Sequence, residues 1–368
     1  MRKIEISYVL AARRSGALIR NPLMELLHAV RQHGSISAAA RAVDLSYRHV
    51  WGELKRWEVE LGHPLILWEK GQAARLSEFG DKLLWAERQA QARLAPQIEA
   101  LHADLERAFA VAFDDAAHVL ELFASHDDGL AALREQAVGE RLHLDVRFCG
   151  SVDAISALNE GRCVMAGFHT PPRPPAGSLA QRTYQPLLQP GRHKLIGFAR
   201  RWQGLMVAPG NPLQLAGLQD VAQRRARFVN RALGTGTRVL LDGLLAEAGL
   251  DAAALAGYNT IEPSHSAVAQ AIASGAADTG LGIEAAARAR GLGFVRLLQE
   301  DYYLVCLKDA LELPAIQALL ALLQGSAWQQ ALARLPGYEN LDSGRVLSLS
   351  RRLPWWDFSR KKAEKKRR

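Results

Sequence analysis

The sequence predicts an α/β chain: a small helical module at the amino terminus, one long helix, then a larger domain of alternating strands and helices arranged as two lobes. Three observations carry this expectation. Residues 20–56 hold short helical patterns separated by capping residues and a tight turn. From His118 onward, period-two apolar stretches alternate with helical ones, the pattern of strands crossed over by helices. The charge is also uneven. Residues 1–56 carry a net +6, residues 57–115 carry −5, residues 116–350 are neutral and the last 18 carry +7. Basic ends around a neutral middle point to a polyanion partner for the ends and something else for the middle.

The chain's 368 residues allow two or three domains. Its 49% apolar and 23% charged content is the mix of a chain that buries a core, which excludes a disordered or fibrous protein. No run of about 18 apolar residues occurs, so no membrane span is expected. The start, MRKIEISYVLAARRSG, is too interrupted by charge for a secretory signal. The three cysteines, Cys149, Cys163 and Cys306, form no CxxC pair and are odd in number. A disulfide framework and a thiolate zinc cluster are both disfavoured, and a reducing cytoplasm is the expected location.

Taken in order, IEISYVL reads as a strand and is followed by helical patterns and a short β-prone stretch. A long helix begins near Ser77, a good N-cap with Glu78 and Asp81 in the first turn. Leu83, Ala90, Leu94, Ile98, Leu101, Leu105, Ala108 and Ala112 recur along it at spacings near four and three, a seam for a partner helix and hence a homodimer or higher homo-oligomer. Packing on its own domain is the plainer alternative. Pro96 should kink or restart the helix. Beyond it, HVLELFAS, LHLDVRFCG, CVMAGFHT, RFVN and DTGLGI read as strands, and LAALREQAV, SVDAISALNEG, LQDVAQRRA, GTRVLLDGLLAEAGL and SAVAQAIASG as helices. KLIGFARRWQGLMVAPGNP reads as one or two strands, FVRLLQEDYYLVCLKD as paired strands, and two helices close the domain. Parallel sheets with helices on both faces follow. The expected divisions are 1–76, a connecting helix over 77–115, 116–350, and a basic tail over 351–368.

Within HGSISAAARAVDLSYRHVWGELKRWEVEL, Ser35 or Ser37 can cap a short helix whose Ala38, Ala39, Ala40 and Ala42 permit close packing. Asp44 and Leu45 turn the chain, and Ser46 caps a second helix with Val50 and Leu54 facing inward. Two short helices across such a turn form a helix-turn-helix, whose second helix enters the major groove of double-stranded DNA amino end first. The candidate DNA contacts are Ser35, Ser46, Tyr47, Arg48, His49, Trp51, Lys55 and Arg56. Arg48 suits a guanine or a phosphate, and Lys55 and Arg56 suit phosphates. HPLILWEKGQAARLSEFG reads as a β-ribbon wing with its tip near Lys70. With that ribbon, GSISAAARAVDLSYRHVWGELKR resembles the winged helix-turn-helix of the molybdate regulator ModE over roughly residues 20–110, and LysR-type regulators share the plan. The resemblance ends where ModE's small barrels would begin, because the remainder of this chain is α/β.

In the middle, FVNRALGTGTRVLLDGLLAEAGL places a glycine-bearing loop between a strand and a helix. Backbone N–H groups at such a helix start bind anions. Thr235 and Thr237 add hydroxyls, and Arg231 and Arg238 add charge. The loop lacks a P-loop's GK[ST] ending and the full GxGxxG pattern, which disfavours nucleotide chemistry. Ser125, Ser151, His169, Ser264 and His265 also stand at strand ends or helix starts, where ligands sit in open α/β folds. No two histidines have ligand spacing, and no paired carboxylates or Ser/His/Asp order appears. No metal site, cofactor or catalytic activity is expected. This segment, with GYNTIEPSHSAVAQAIASGAADTGLGIEAAARARGLGFVRL, resembles the cytoplasmic PBP-like domain related to periplasmic molybdate-binding proteins. The resemblance implies a type II binding-protein fold with two lobes hinged over a ligand, and a pocket bordered by Asn230, Arg231, Gly236, Thr237, Arg238, Ser264 and His265. It further implies a DNA-binding regulator sensing molybdate, tungstate or a related small anion such as formate. The alternatives are a LysR-like sensor of another organic acid and a non-regulatory cytoplasmic oxyanion binder.

Overall fold

A computed structural model describes residues 21–68, 73–113 and 117–356. The strand expected at residues 4–10, the wing tip with Lys70, and the basic run from Arg360 to Arg368 lie outside the described residues. The chain divides into two compact units, Met1–Gln91 and Ala92–Arg368.

The first unit begins with α1 (Pro22–His33), capped by the Asn21 side chain and closed by Gly34 in the left-handed region. α2 (Ile36–Ala42) and α3 (Tyr47–Leu61) follow across a turn in which Asp44 has φ 55°. Asp is among the few residues that hold this conformation cheaply. β1 (Ile66–Leu67) and β2 (Arg75–Leu76) pair antiparallel as the stem of a ribbon. Leu27, Val30, Ala39, Ala40, Val50, Leu54, Leu65 and Leu84 form the core. Of the four alanines expected to matter, Ala39 and Ala40 are buried, while Ala38 is half-buried and Ala42 exposed. Only one side of so short a helix meets its neighbours.

α4 runs from Glu78 to Phe113. Ser77 Oγ accepts from Gly80 N at 2.9 Å, the cap that its position predicts. The expected restart at Pro96 does not occur, because the helix is continuous through it. A proline removes one N–H and leaves the carbonyl four residues earlier without its helical donor. That carbonyl belongs to Ala92, and Ser264 Oγ donates to it at 3.3 Å. The vacant acceptor is filled from outside the helix.

In the second unit, β3 (His118–Ala124), α5 (Asp128–Gly139), β4 (Leu142–Phe148), α6 (Ser151–Asn159), β5 (Met165–Thr170) and α7 (Leu179–Tyr184) lead to the long strand β6 (His193–Val207). Next come α8 (Leu218–Gln223), β7 (Phe228–Arg231), α9 (Gly236–Glu247), β8 (Ile261–Glu262), α10 (His265–Ala273), β9 (Thr279–Ile283), α11 (Glu284–Arg288) and a second long strand, β10 (Gly293–Leu307). The unit closes with α12 (Pro314–Gln324), α13 (Ser326–Ala333), β11 (Tyr338–Asn340), β12 (Val346–Leu347) and α14 (Leu349–Arg352).

The strand order is β4-β3-β5-β10-β6-β9-β7-β8, with β11 and β12 added to β6. β3 is parallel to β4 and β5, and β7 to β8 and β9. β10 runs antiparallel to β5 and to nearly the whole of β6. The sheet is therefore mixed, not the pair of parallel sheets expected. FVRLLQEDYYLVCLKD is one strand rather than a hairpin, since nothing between Phe294 and Leu307 supplies a turn. Two register shifts, between Arg296 and Leu298 and between Tyr302 and Tyr303, bend it instead. β6 and β10 pass through both lobes. One lobe surrounds β4, β3 and β5, the other β9, β7 and β8. Among the described residues, no helix is long and apolar enough to cross a membrane.

Candidate functional site

On the amino-terminal unit, α3 presents an exposed polar and aromatic face. Ser46 Oγ accepts from His49 N at 3.2 Å and sets the start of the helix. Val50 and Leu54 face the core, which turns Tyr47, Arg48 and His49 to solvent. Tyr47 stacks on Trp51, with ring centroids 6.3 Å apart and planes 9° apart, and Trp68 meets Trp51 edge-on at 6.0 Å. Lys55 lies over Trp51 but also pairs with Glu58 at 2.7 Å, and Arg56 pairs with Glu53 at 2.6 Å. Glu58 Oε1 accepts from the backbone N–H groups of Leu65 and Ile66, tying the ribbon to the helix. Ser35 caps α2, accepting from Ala38 N at 3.4 Å. Its hydroxyl serves the fold. Trp68 was not among the residues singled out from sequence; it adds an exposed aromatic beside α3.

In the second unit, three helices start at one place. A Cβ placed on Gly236, at the start of α9, would meet His169 Cβ at 3.1 Å and Ser151 Oγ at 3.3 Å. One on Gly150, before α6, would lie 2.7 Å from the Gly234 carbonyl oxygen. These glycines let the two lobes close on each other. Thr237 Oγ1 lies 3.4 Å from His265 Nε2 at the start of α10. The His169 ring lies against Tyr302 with centroids 3.8 Å apart and planes tilted by 37°. Ser151, His169, Arg231, Gly236, Thr237 and His265 are thus brought together from strand ends and helix starts that lie far apart in the chain.

The electrostatics centre on two buried arginines. Arg201, 2% exposed, is bonded to Glu300 and to Asp127, and Tyr338 OH donates to Asp127 at 2.7 Å. Despite its burial, these two carboxylates hold its guanidinium firmly protonated. Arg231 is 3% exposed and differs: its Nε and Nη1 have no hydrogen-bond partner. Burial, and the Arg201 charge beside it, push its pKa down to about 9. Burial and the same two arginines hold His169 and His265 well below the usual histidine range, so both are neutral. His169 Nε2, His265 Nδ1 and Gln203 Oε1 are also buried without partners. Orphaned buried polar atoms are costly and rare, and here they gather in one place.

Other candidates do structural work. Asn230 accepts from Arg231 N and donates to the Tyr258 carbonyl. It neighbours Arg231 on a strand, and successive side chains point to opposite faces. The Arg238 guanidinium is engaged by Asp242 at 3.1 Å and lies 4.1 Å over the Tyr258 ring. Thr235 caps α9 and donates to the Ala232 carbonyl. Ser125 donates to the Cys149 carbonyl. Ser264 caps α10, accepting from Ala267 N at 3.1 Å, while donating to Ala92 O. Since it serves a cap and an otherwise unfilled carbonyl, Ser264→Ala should cost about 1–2 kcal/mol, measurable by urea denaturation. A loss below a few tenths would mean that water replaces both bonds. Among the described residues, no group of three or more His, Cys, Asp or Glu side chains could hold a metal ion.

Sequence reasoning missed Arg201, Gln203 and Glu300. Their signal was present: charged and amide residues inside otherwise apolar long strands, which must be paired when buried.

Within the second unit, two carboxylates also hold the later part of α4. Arg93 makes a two-pronged contact with Glu262, its Nη2 at 2.6 Å and its Nε at 2.9 Å. Arg107 Nε lies 3.5 Å from Asp145. His126 meets Glu99 at 3.2 Å, and this carboxylate raises the imidazole's pKa although burial opposes it. Leu94, Leu101 and Phe109 on the same helix stay 41%, 57% and 42% exposed.

The PBP superfamily domain model matches residues 131–324, and the model of bacterial regulatory helix-turn-helix proteins of the lysR family matches residues 22–81. The uncharacterized protein YvgK of Bacillus subtilis (strain 168) is 31% identical over 201 residues, which are 55% of this chain and 64% of that protein. An uncharacterized protein in the ferredoxin 2Fe-2S gene 5′ region of Clostridium pasteurianum is 29% identical over 111 residues, 30% of this chain and 98% of that one. Among solved structures, the hydrogen peroxide-bound form of a cysteine-to-serine mutant of Corynebacterium glutamicum OxyR has a TM-score of 0.44 at 16% identity, covering 84% of this chain and 93% of that one.

Proposed function

The chain belongs to the PBP superfamily and carries a lysR-family helix-turn-helix at residues 22–81, and we propose from this that it is a transcriptional regulator whose larger domain senses a small oxyanion. The observation that carries the effector class is Arg231, a buried guanidinium with two unpaired donors near the neutral imidazoles of His169 and His265. Positive charge in such a place is stabilised by an anion that accepts from it. The amino ends of α6, α9 and α10 add partial positive charge at the same point. Donors arriving from several elements suit a tetrahedral oxyanion, with molybdate and tungstate first and formate as the smaller alternative.

The amino-terminal unit supplies the DNA-binding element, with α3 entering the major groove and the ribbon beside it. The exposed apolar residues Leu94, Leu101 and Phe109 support pairing of α4 with a second copy, giving a homodimer or a higher homo-oligomer. Effector binding would act by changing lobe closure. The working location is the cytoplasm.

A thermal-shift and calorimetry panel of molybdate, tungstate, sulfate, phosphate and formate tests the effector class. An anion held a hundredfold above its dissociation constant should stabilise the protein by about 2.7 kcal/mol. Silence towards all five would remove the anion reading. A gel shift on the DNA upstream of the protein's own gene tests the regulator reading separately, and its failure with intact anion binding would favour an oxyanion binder without a regulatory role.

A further inference from the structure

We propose that the site takes up one proton together with each doubly charged oxyanion, on the pair His169 and His265, and that this pair thereby sets which anion charge the pocket accepts. The inference rests on the anion reading above and deepens it.

The charges that face the site come from every element around it. β6 contributes Arg201 and β7 contributes Arg231, while the loop before α5 contributes Asp127 and β10 contributes Glu300. These four cancel. Beside them, Asp128 is pushed up to about 6 by burial and by Asp127, and His126 is matched by Glu99 of α4. Three helix amino ends then add partial positive charge, each worth up to about half a unit. Set against Asp128, which is ionised above about pH 6, these leave the empty site balanced for at most about one negative charge. A monoanion meets that balance. A dianion exceeds it by one unit or more among buried side chains, where excess charge is expensive.

The protein holds the means to absorb that unit. His169 and His265 approach from opposite lobes, and each has a ring nitrogen that is buried and unpartnered, His169 Nε2 and His265 Nδ1. Among the described residues, neither ring has a carboxylate partner. The pressure that keeps both neutral comes from burial and from Arg201 and Arg231. A dianion placed against Arg231 reverses the sign of that field, and an imidazolium would then donate to it. Gln203 is the complementary fixture. Its Nε2 donates to Glu300 at 2.8 Å and to Thr237 at 3.2 Å, which leaves Oε1 as an orphaned acceptor. The acceptor cannot be exchanged for the amide nitrogen without setting oxygen against the Glu300 carboxylate. A buried acceptor in an anion site is useful when a proton accompanies the anion.

The test is calorimetry of the full-length protein with sodium molybdate and sodium formate, in two buffers of the same pH and different ionisation enthalpies. The expected result is one proton taken up per molybdate and none per formate. Molybdate affinity should also rise about tenfold for each unit that pH falls between 8 and 6 while formate affinity stays level. A double variant, His169→Gln with His265→Gln, should lose tenfold or more of its preference for molybdate over formate and show no proton uptake. Molybdate binding with no buffer dependence overturns the proposal without touching the anion reading, as does a proton still taken up by the double variant. Binding of neither anion overturns both. The wild-type measurement stands on its own if the double variant fails to fold.

Discussion

Arg231→Met should abolish the response to oxyanions and, in the same protein, raise the stability of the unliganded form. Loss of the guanidinium removes the buried cation whose donors are free, so no anion in the panel should shift the melting temperature. The gain in stability follows from the same burial. Arg231 sits 3% exposed with its pKa pushed down to about 9, which means that its charged form is disfavoured in the folded chain relative to the unfolded one. A methionine of similar length fills the space without that penalty, for a gain on the order of 2–4 kcal/mol. The sign can be checked with pH. A base whose folded pKa is depressed leaves the unfolded state binding more protons between the two values, so stability rises as pH climbs through about 9. The wild type should show that rise and the variant should not. A variant that melts lower than the wild type, as ordinary core deletions do, would mean that Arg231 is internally compensated and the pocket is not waiting for an anion.

Arg48→Ala should weaken binding to specific DNA by about 1–3 kcal/mol, roughly five- to 150-fold, and leave the fold intact. Arg48 is exposed on the first turn of α3, and among the described residues it makes no ion pair. Lys55 and Arg56 are differently placed. Both must leave Glu58 and Glu53 before they can reach a phosphate. Their alanine variants should therefore cost less than Arg48→Ala and act mainly on the salt dependence, lowering the slope of log affinity against log salt by about 0.9 for each phosphate no longer neutralised. Fluorescence anisotropy on an operator fragment over a salt series separates the three. Equal effects from all three substitutions would assign Arg48 to the backbone rather than to a base.

The parts of the molecule that could be read from sequence are those in which one local cause decides the outcome. Ser46 and Ser77 could be recognised as caps because a cap needs only its own helix. Asp44 marked its turn because few residues tolerate a left-handed conformation. The loop at Gly234–Gly236 and the helix starts at Ser151 and His265 were legible for the same reason. The other half of the candidate site depends on partners far away in the chain. Arg201 meets Glu300 because two long strands run antiparallel, and no local pattern announces that pairing. Asn230 and Arg231 were equally plausible ligands until the pleat of β7 assigned them to opposite faces. Pro96 signalled a break from its own chemistry, yet the acceptor it left open was met by Ser264, 172 residues from Ala92.

The two long strands have a consequence for how this domain could be taken apart. The chain crosses into the second lobe at Gln203 and comes back at Leu298, and these residues are partners in the ladder between β6 and β10. Everything between them is, topologically, one detachable insert whose entrance and exit are adjacent. A short hairpin in its place would join the same two strands in the same register. What was left would keep the β4-β3-β5 layer with its helices and the cluster around Phe168 and Tyr303. It would lose Arg231, Thr237 and His265 together. Such a trimmed chain would be a scaffold with Ser151 and His169 facing nothing, half of a mould from which the cast can no longer be made.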